Sequence, residues 1–429
     1  MSRITRRNFV FSVGALSAAT SVLSWPALGQ AKATGGRVVV IGGGFGGATC
    51  AKYLRRLSTD IEVTLVERDS NFMTCPFSNA VLGGLYDMDF NTHDYSALRD
   101  EYGVRVVHDS AVDIDPDAKK VRLAGGSTLK FDRLVVSPGI DLQWNAIEGY
   151  DEAASAVMPH AWKAGEQTTT LRKQLEAMSD GGVVIIAAPP NPFRCPPGPY
   201  ERASLIAHYL KQHKPRSKIQ ILDANPTFSK QPLFEQGGQA LYPGMIEWVG
   251  EADGGAIDGV DVKAMTVKPL FGEPQRGDVI NVIPPQKAGA IAEVAGLTND
   301  GGWCPVDQRT FESRAQKHVH VIGDAAIANP MPKSGYAASS QGKVCATAIA
   351  ASLSGQDMPD PSYVNTCYSL VGPDYGISVA AVYRLGEDGI AAVQGAGGVS
   401  PKDVDSSFRV AESRYAVGWY QSITADIWG

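Results

Sequence analysis

Short, unbroken apolar runs recur at wide intervals along this chain, as in strands buried on both faces of a parallel sheet. Arg37-Val38-Val39-Val40-Ile41 is the first and Glu62-Val63-Thr64-Leu65-Val66 the second. The pattern restarts after residue 150 with Gly181–Ala188 and Lys218–Leu222, and a last run covers His318–Ile322. Helix-like stretches, Ala48–Leu57 and about Arg202–Lys211, separate the members of each pair. Strands alternating with helices predict an α/β fold with parallel sheets. The tail, Phe408–Gly429, shows no helical apolar face with basic flanks and predicts a strand or an element packed on a partner.

Composition narrows the class. The chain has 429 residues, 44% apolar and 20% charged, which suits a soluble globular protein of two or three domains. Lys+Arg 39 against Asp+Glu 45 gives −6, and no basic block occurs, so nucleic acid is excluded as an expected partner. The N-terminus reads Thr5-Arg6-Arg7-Asn8-Phe9, followed by a small-residue apolar stretch to Ala27 and then Gly29-Gln30-Ala31. This predicts a twin-arginine export signal over residues 1–31 and a periplasmic mature chain. Removing those residues takes the formal charge from −6 to −9, because they hold three arginines and no acid. No later segment is apolar and long enough to predict a membrane span.

The first strand runs into Gly42-Gly43-Gly44-Phe45-Gly46-Gly47 and then into a helix. In that context Gly42 permits the tight turn, Gly44 lets the backbone approach a pyrophosphate, and Gly47 allows the helix to lie close on the strand. Glu67, at the end of the second strand, is 20 residues beyond Gly47 and suits ribose hydroxyls. The run ending in Gly323-Asp324-Ala325 resembles the second FAD motif of two-dinucleotide-domain flavoproteins, in which the Asp binds the ribityl chain. Phe131–Gly139 resembles the strand and turn where such an FAD domain crosses to the next domain. Together the three segments point to FAD. After Gly181–Ala188 a second glycine motif would serve NADH. Instead six prolines fall between Pro189 and Pro199, removing backbone donors that a pyrophosphate needs. This predicts a second Rossmann-like unit with no NAD(P)H site.

Six cysteines are too few for a disulfide scaffold. Cys195 sits where the lost phosphate loop would be, and Cys367 lies beyond the FAD segments. Their pairing stays open, since six cysteines allow 15 full pairings. Cys75 stands alone where related reductases carry a C-x-x-x-x-C pair, and could bond to the flavin 8α-methyl. Cys50 and Cys345 read as core thiols, and Cys304 has no assigned role.

The segments Thr74-Cys75, Arg194–Glu201, Asp307–Phe311, Gly323–Ala325 with Lys333–Tyr336, and Thr366–Ser369 with Tyr375–Ser378 resemble the flavoprotein subunit of flavocytochrome c sulfide dehydrogenase. The resemblance covers almost the whole mature chain. It implies two Rossmann-like domains plus a C-terminal interface domain. FAD would be covalently held through Cys75. A redox-active Cys195–Cys367 disulfide would lie beside it, with Glu201 as proton handler. Sulfide would be the substrate, and electrons would pass to a c-type cytochrome subunit. The chain has no C-x-x-C-H, so that haem would belong to the partner. No metal site is expected. The implied division is an export leader (1–31), an FAD domain in two parts (36–150 and 283–350), an NAD-like domain without its nucleotide site (151–282) and a cytochrome-interface domain (351–429). Two other readings stand beside it: a sulfide:quinone oxidoreductase, and a non-catalytic flavoprotein assembly subunit.

Overall fold

The computed structural model describes residues 35–429. The expected export signal lies outside the described residues. β1 (Arg37–Ile41) leads through the glycine turn into α1 (Phe45–Leu57), and β2 (Glu62–Val66) pairs parallel to β1. β3 (Arg105–Val107) adds outside β2, and β4 (Arg133–Val136) pairs on the other side of β1. The central positions of β1 and β4 are buried, which explains why these strands read as unbroken apolar runs.

The second parallel sheet is built on β5 (Val183–Ala188). α2 (Gly198–His213) crosses to β6 (Lys218–Asp223), and α3 (Gln231–Leu241) leads to β7 (Ile246–Val249). β8 (Val279–Val282) completes the order β7-β6-β5-β8. α2 starts four residues before the expected Arg202, because Pro199 supplies a preset φ in its first turn. The chain then returns to the first sheet, where β9 (Val319–Val321) pairs parallel to β4. α4 (Gly335–Ser354) follows, capped by Ser334, whose Oγ accepts from the Ala337 N–H.

A three-stranded antiparallel sheet comes last: β10 (Ser362–Gly372), β11 (Tyr375–Gly386) and β12 (Gly389–Val399). The tail departs from expectation. Residues Ser406–Trp428 form one 23-residue helix, α5, and not a strand. Its buried face runs through Arg409, Glu412, Ser413, Ala416, Tyr420, Ile423, Thr424 and Ile427. The spacing is helical, but four of these eight positions are charged or small polar residues, so no apolar stripe shows. Their polar atoms are satisfied locally: Arg409 pairs with Glu412 at 3.2 Å, and Glu412 accepts from Ser378 and Ser400. No described helix is long and apolar enough to cross a membrane.

Candidate functional site

The glycine turn is set by contacts that exclude a side chain. Gly42 has φ +95°, and a Cβ there would lie 2.2 Å from the Ser137 carbonyl oxygen. A Cβ on Gly47 would lie 1.9 Å from the Gly42 carbonyl oxygen, so the expected close packing of α1 on the turn is observed. Gly44 is the residue preceding α1, in extended conformation. Glu67 accepts from the Gly43 N–H at 2.7 Å through Oε2 and from the Asp69 N–H at 3.2 Å through Oε1. The residue expected to meet a ribose thus also ties the end of β2 to the glycine turn. The second lone pair on each oxygen stays available to a further donor.

A cleft of about 1000 Å³ runs from this turn across the molecule. Gly42, Gly44, Glu67, Cys75, Cys195, Glu201, Gly323, Asp324 and Cys367 all line it. Of the expected site residues, Gly47 alone does not, because it is buried beneath the turn. Gly323 has φ +77° and its N–H donates to Gln341 Oε1 at 2.8 Å. Next to it, Asp324 is nearly buried, and its Oδ1 has no hydrogen-bond partner. Burial pushes its carboxyl above the usual range, against the pull of Arg194 and Lys333. A buried acceptor without a donor, facing a long cleft that opens at a dinucleotide turn, fits the hydroxyl-rich ribityl chain of FAD.

At the far end, four segments bring the expected reactive residues together. Cys75 follows a short hairpin strand, and its Sγ donates to the Trp162 carbonyl at 3.3 Å. The guanidinium of Arg194 reaches the same carbonyl. Cys195 precedes α2 with φ +58°, and its backbone N–H donates to the Lys333 carbonyl at 2.8 Å. Glu201, in the first turn of α2, accepts from Asn79 Nδ2 at 2.9 Å and from the Leu370 N–H at 2.8 Å. Cys367, on β10, donates to Asn365 Oδ1 at 3.6 Å. Asn365 Oδ1 also accepts from Ser334 Oγ at 2.6 Å.

Burial raises the thiol of Cys195 far above its ordinary value, helped by Glu201, Cys367 and Cys75. Burial also raises Cys367, but there Lys230, Ser334 and Asn365 work against the shift. Glu201 is raised by burial, against its bond from Asn79 and the N–H of Leu370. All six cysteines are free thiols in this structure. The bond expected between Cys195 and Cys367 is therefore not formed here, and the Cys367 thiol is held by Asn365 instead. Cys50 and Cys345 are fully buried, as expected of core thiols. Cys304 is also buried, which pushes its thiol up to about 12. Among the described residues no group of His, Cys, Asp and Glu is placed to hold a metal ion.

Several contributors carried no readable signal. Arg202 is 2% exposed and donates to Asn79, His160 O, Ala161 O and Asn281. It thereby holds the 160–162 segment, and with it the carbonyl that faces Cys75, against α2. Lys230 reaches β10 from the start of α3. Trp428, near the end of α5, donates through Nε1 to the Gly43 carbonyl at 3.2 Å and stacks on His93 and Phe72. These contacts join residues far apart in sequence, so no local spacing announces them.

A glycine-turn Rossmann sheet, a second parallel sheet and cysteines at the cleft end define a flavoprotein of the pyridine nucleotide-disulphide oxidoreductase type. Residues 36–181 match the model of the pyridine nucleotide-disulphide oxidoreductases. Residues 168–284 match that of the central region of the sulfide dehydrogenase [flavocytochrome c] flavoprotein chain, and residues 359–428 that of the flavocytochrome c sulphide dehydrogenase flavin-binding region. The sulfide dehydrogenase [flavocytochrome c] flavoprotein chain of Chlorobaculum thiosulfatiphilum is 71% identical over 45 residues, 10% of this chain and 94% of that sequence. The chain belongs to this family of FAD-binding, sulfide-oxidising flavoproteins. It is also 26% identical over 309 residues to a sulfide-quinone reductase of Aquifex aeolicus (strain VF5), covering 69% of this chain and 70% of that one. The solved structure of the Aquifex aeolicus sulfide:quinone oxidoreductase has the same fold, with TM-score 0.69 and 19% identity, covering 91% and 92% of the two chains.

Proposed function

We propose that this chain is the sulfide-oxidising subunit of a periplasmic flavocytochrome c and hands its electrons to a c-type cytochrome partner. The observation that carries the reading is the meeting of Cys195, Cys367 and Glu201 at one end of a cleft whose other end is a dinucleotide turn. Gly42, Gly44 and Gly47 would shape the pyrophosphate seat, Glu67 would meet the ribose and Asp324 the ribityl hydroxyls. Cys75 would carry the cofactor covalently. When bound, FAD supplies a two-electron acceptor that can pass electrons on singly.

The chain's own residues do the sulfur chemistry. In the oxidised pair, a disulfide sulfur is electrophilic and hydrosulfide is a soft nucleophile. Attack leaves a persulfide on one cysteine and a thiolate on the other. Glu201, with its carboxyl raised by burial, is suited to accept the proton that sulfide loses. The prolines after β5 support a donor other than NAD(P)H. The twin-arginine N-terminus supports export with the cofactor already in place.

A quinone acceptor is the second reading, favoured by the likeness to the Aquifex protein. One assay set tests both. Sulfide should bleach the flavin of the wild type, and Cys195→Ser or Cys367→Ser should abolish the bleaching. The bleached protein should reoxidise on adding a c-type cytochrome. Bleaching unchanged in either variant would sink the cysteine chemistry, and reoxidation by a soluble quinone alone would transfer the function to the second reading.

A further inference from the structure

Lys230 is a buried ammonium. Its side chain is 8% exposed, and among the described residues no ion pair includes it. Burying a cation in this way is costly unless some other charge or dipole compensates it. The backbone commits to the arrangement: Lys230 sits in the left-handed region at φ +61°, immediately before α3. From there Nζ donates to Ser369 Oγ at 2.8 Å and lies 5.7 Å from the ring centre of Phe234.

Ser369 lies two residues from Cys367 on β10, so their side chains share one face of the strand. On the other side of Cys367 along that face is Asn365, which receives the thiol. Asn365 and Ser369 are themselves buried. Cys367 is thus flanked by two fixed dipoles, and the ammonium stands directly behind one of them. The charged or titratable groups facing Lys230 are Cys367 first, then Glu201, Cys195 and Glu412. Those facing Cys367 are Lys230, Glu201 and Cys195, with Tyr383 on the neighbouring strand. Cys195 has a different neighbourhood: Glu201 is its foremost charge, Arg194 and Arg202 are cations beside it, and Lys230 faces it less strongly than it faces Cys367.

The geometry points to Lys230 as a positioning residue that supplies the counter-charge for a Cys367 thiolate, acting across Ser369. This rests on the reading of Cys195 and Cys367 as the reacting pair, and it gives the pair a direction. Hydrosulfide bonds to Cys195 Sγ, the Cys195–Cys367 bond breaks, and its electron pair stays on Cys367 Sγ. One anion enters, and one anion, the Cys367 thiolate, remains beside the persulfide on Cys195.

The test uses the flavin-loaded protein with both thiols reduced, and follows iodoacetamide labelling of Cys367 and Cys195 by peptide mass from acid to alkaline pH. Only a thiolate reacts, so the labelling rate reports its fraction. Lys230→Gln should move the Cys367 profile upward by about one pH unit, a labelling rate about tenfold lower at any pH below the midpoint. Cys195 should shift less. Lys230→Arg should restore the wild-type profile. A Cys367 profile in Lys230→Gln that overlays the wild type overturns the assignment. Should Lys230→Gln fail to fold, Ser369→Ala decides. It keeps the charge but frees the ammonium from its orienting bond, so a smaller upward shift supports the role and an unchanged profile overturns it. Labelling needs neither sulfide nor an electron acceptor, so its outcome stands apart from that of the bleaching assay.

Discussion

Glu201 joins three segments that are distant in sequence, accepting from Asn79 on one side and from the Leu370 N–H on the other while rooted in α2. Its carboxyl is raised by burial, so the fold favours its neutral form. The sign follows from linkage. A carboxyl raised in the folded state contributes stability at low pH that is lost as pH rises from the ordinary range through the raised value. Glu201→Gln cannot ionise and escapes that loss. Its urea midpoint should therefore gain on the wild type as pH rises from about 4 toward neutrality. Sulfide oxidation by the same variant should fall by about 10²-fold or more if Glu201 moves the proton. A wild-type turnover rate in Glu201→Gln would remove it from the proton path. The residue was legible as a candidate through the resemblance of the Arg194–Glu201 segment to the flavoprotein subunit family. Its partners were not, because Asn79 and Leu370 approach it only in the folded chain.

At the scale of elements, α5 is where the sequence pattern misled. A helix is read from an apolar stripe, and this one buries an Arg409–Glu412 pair, Ser413 and Thr424 on the inward face. Satisfied polar groups are compatible with burial but invisible to hydropathy. The helix approaches β11 so closely that a Cβ on Gly376 would lie 2.4 Å from the Ser413 nitrogen and 2.8 Å from the Glu412 oxygen. Gly376→Ala must push α5 outward, at about 1–3 kcal/mol for an overpacked contact. The same helix carries Tyr420, which meets Thr74 next to Cys75, and Trp428, which meets Gly43. Thermal melting should show the loss of stability, and flavin occupancy should fall with it. An unchanged melting temperature would mean that α5 can shift freely. Elsewhere the elements agree with their pattern: β1 and β2 begin and end where the apolar runs do. Where residues are buried on every side and apolar throughout, local composition and tertiary environment ask for the same thing.

The whole molecule supplies what none of its parts can, a single cleft lined from the first sheet, the start of α2, the loop before α4 and β10. Unfolding destroys such a cleft and releases anything held by shape alone. With a covalent bond at Cys75, acid-denatured wild type should keep its flavin and Cys75→Ser should lose it. Complete release from the wild type would refute the link. The sequence by itself determined the α/β class, the glycine turn, the Gly323-Asp324 strand end and which cysteines were candidates. Those signals are local, since a turn, a strand or a backbone approach is specified by adjacent residues. Only the tertiary structure decided that Cys75, Cys195, Cys367 and Glu201 share one space, that Asp324 keeps an unpartnered oxygen there, and that Lys230 stands behind Cys367. Burial and charge at a site are properties of what surrounds it, and the surroundings come from segments hundreds of residues apart.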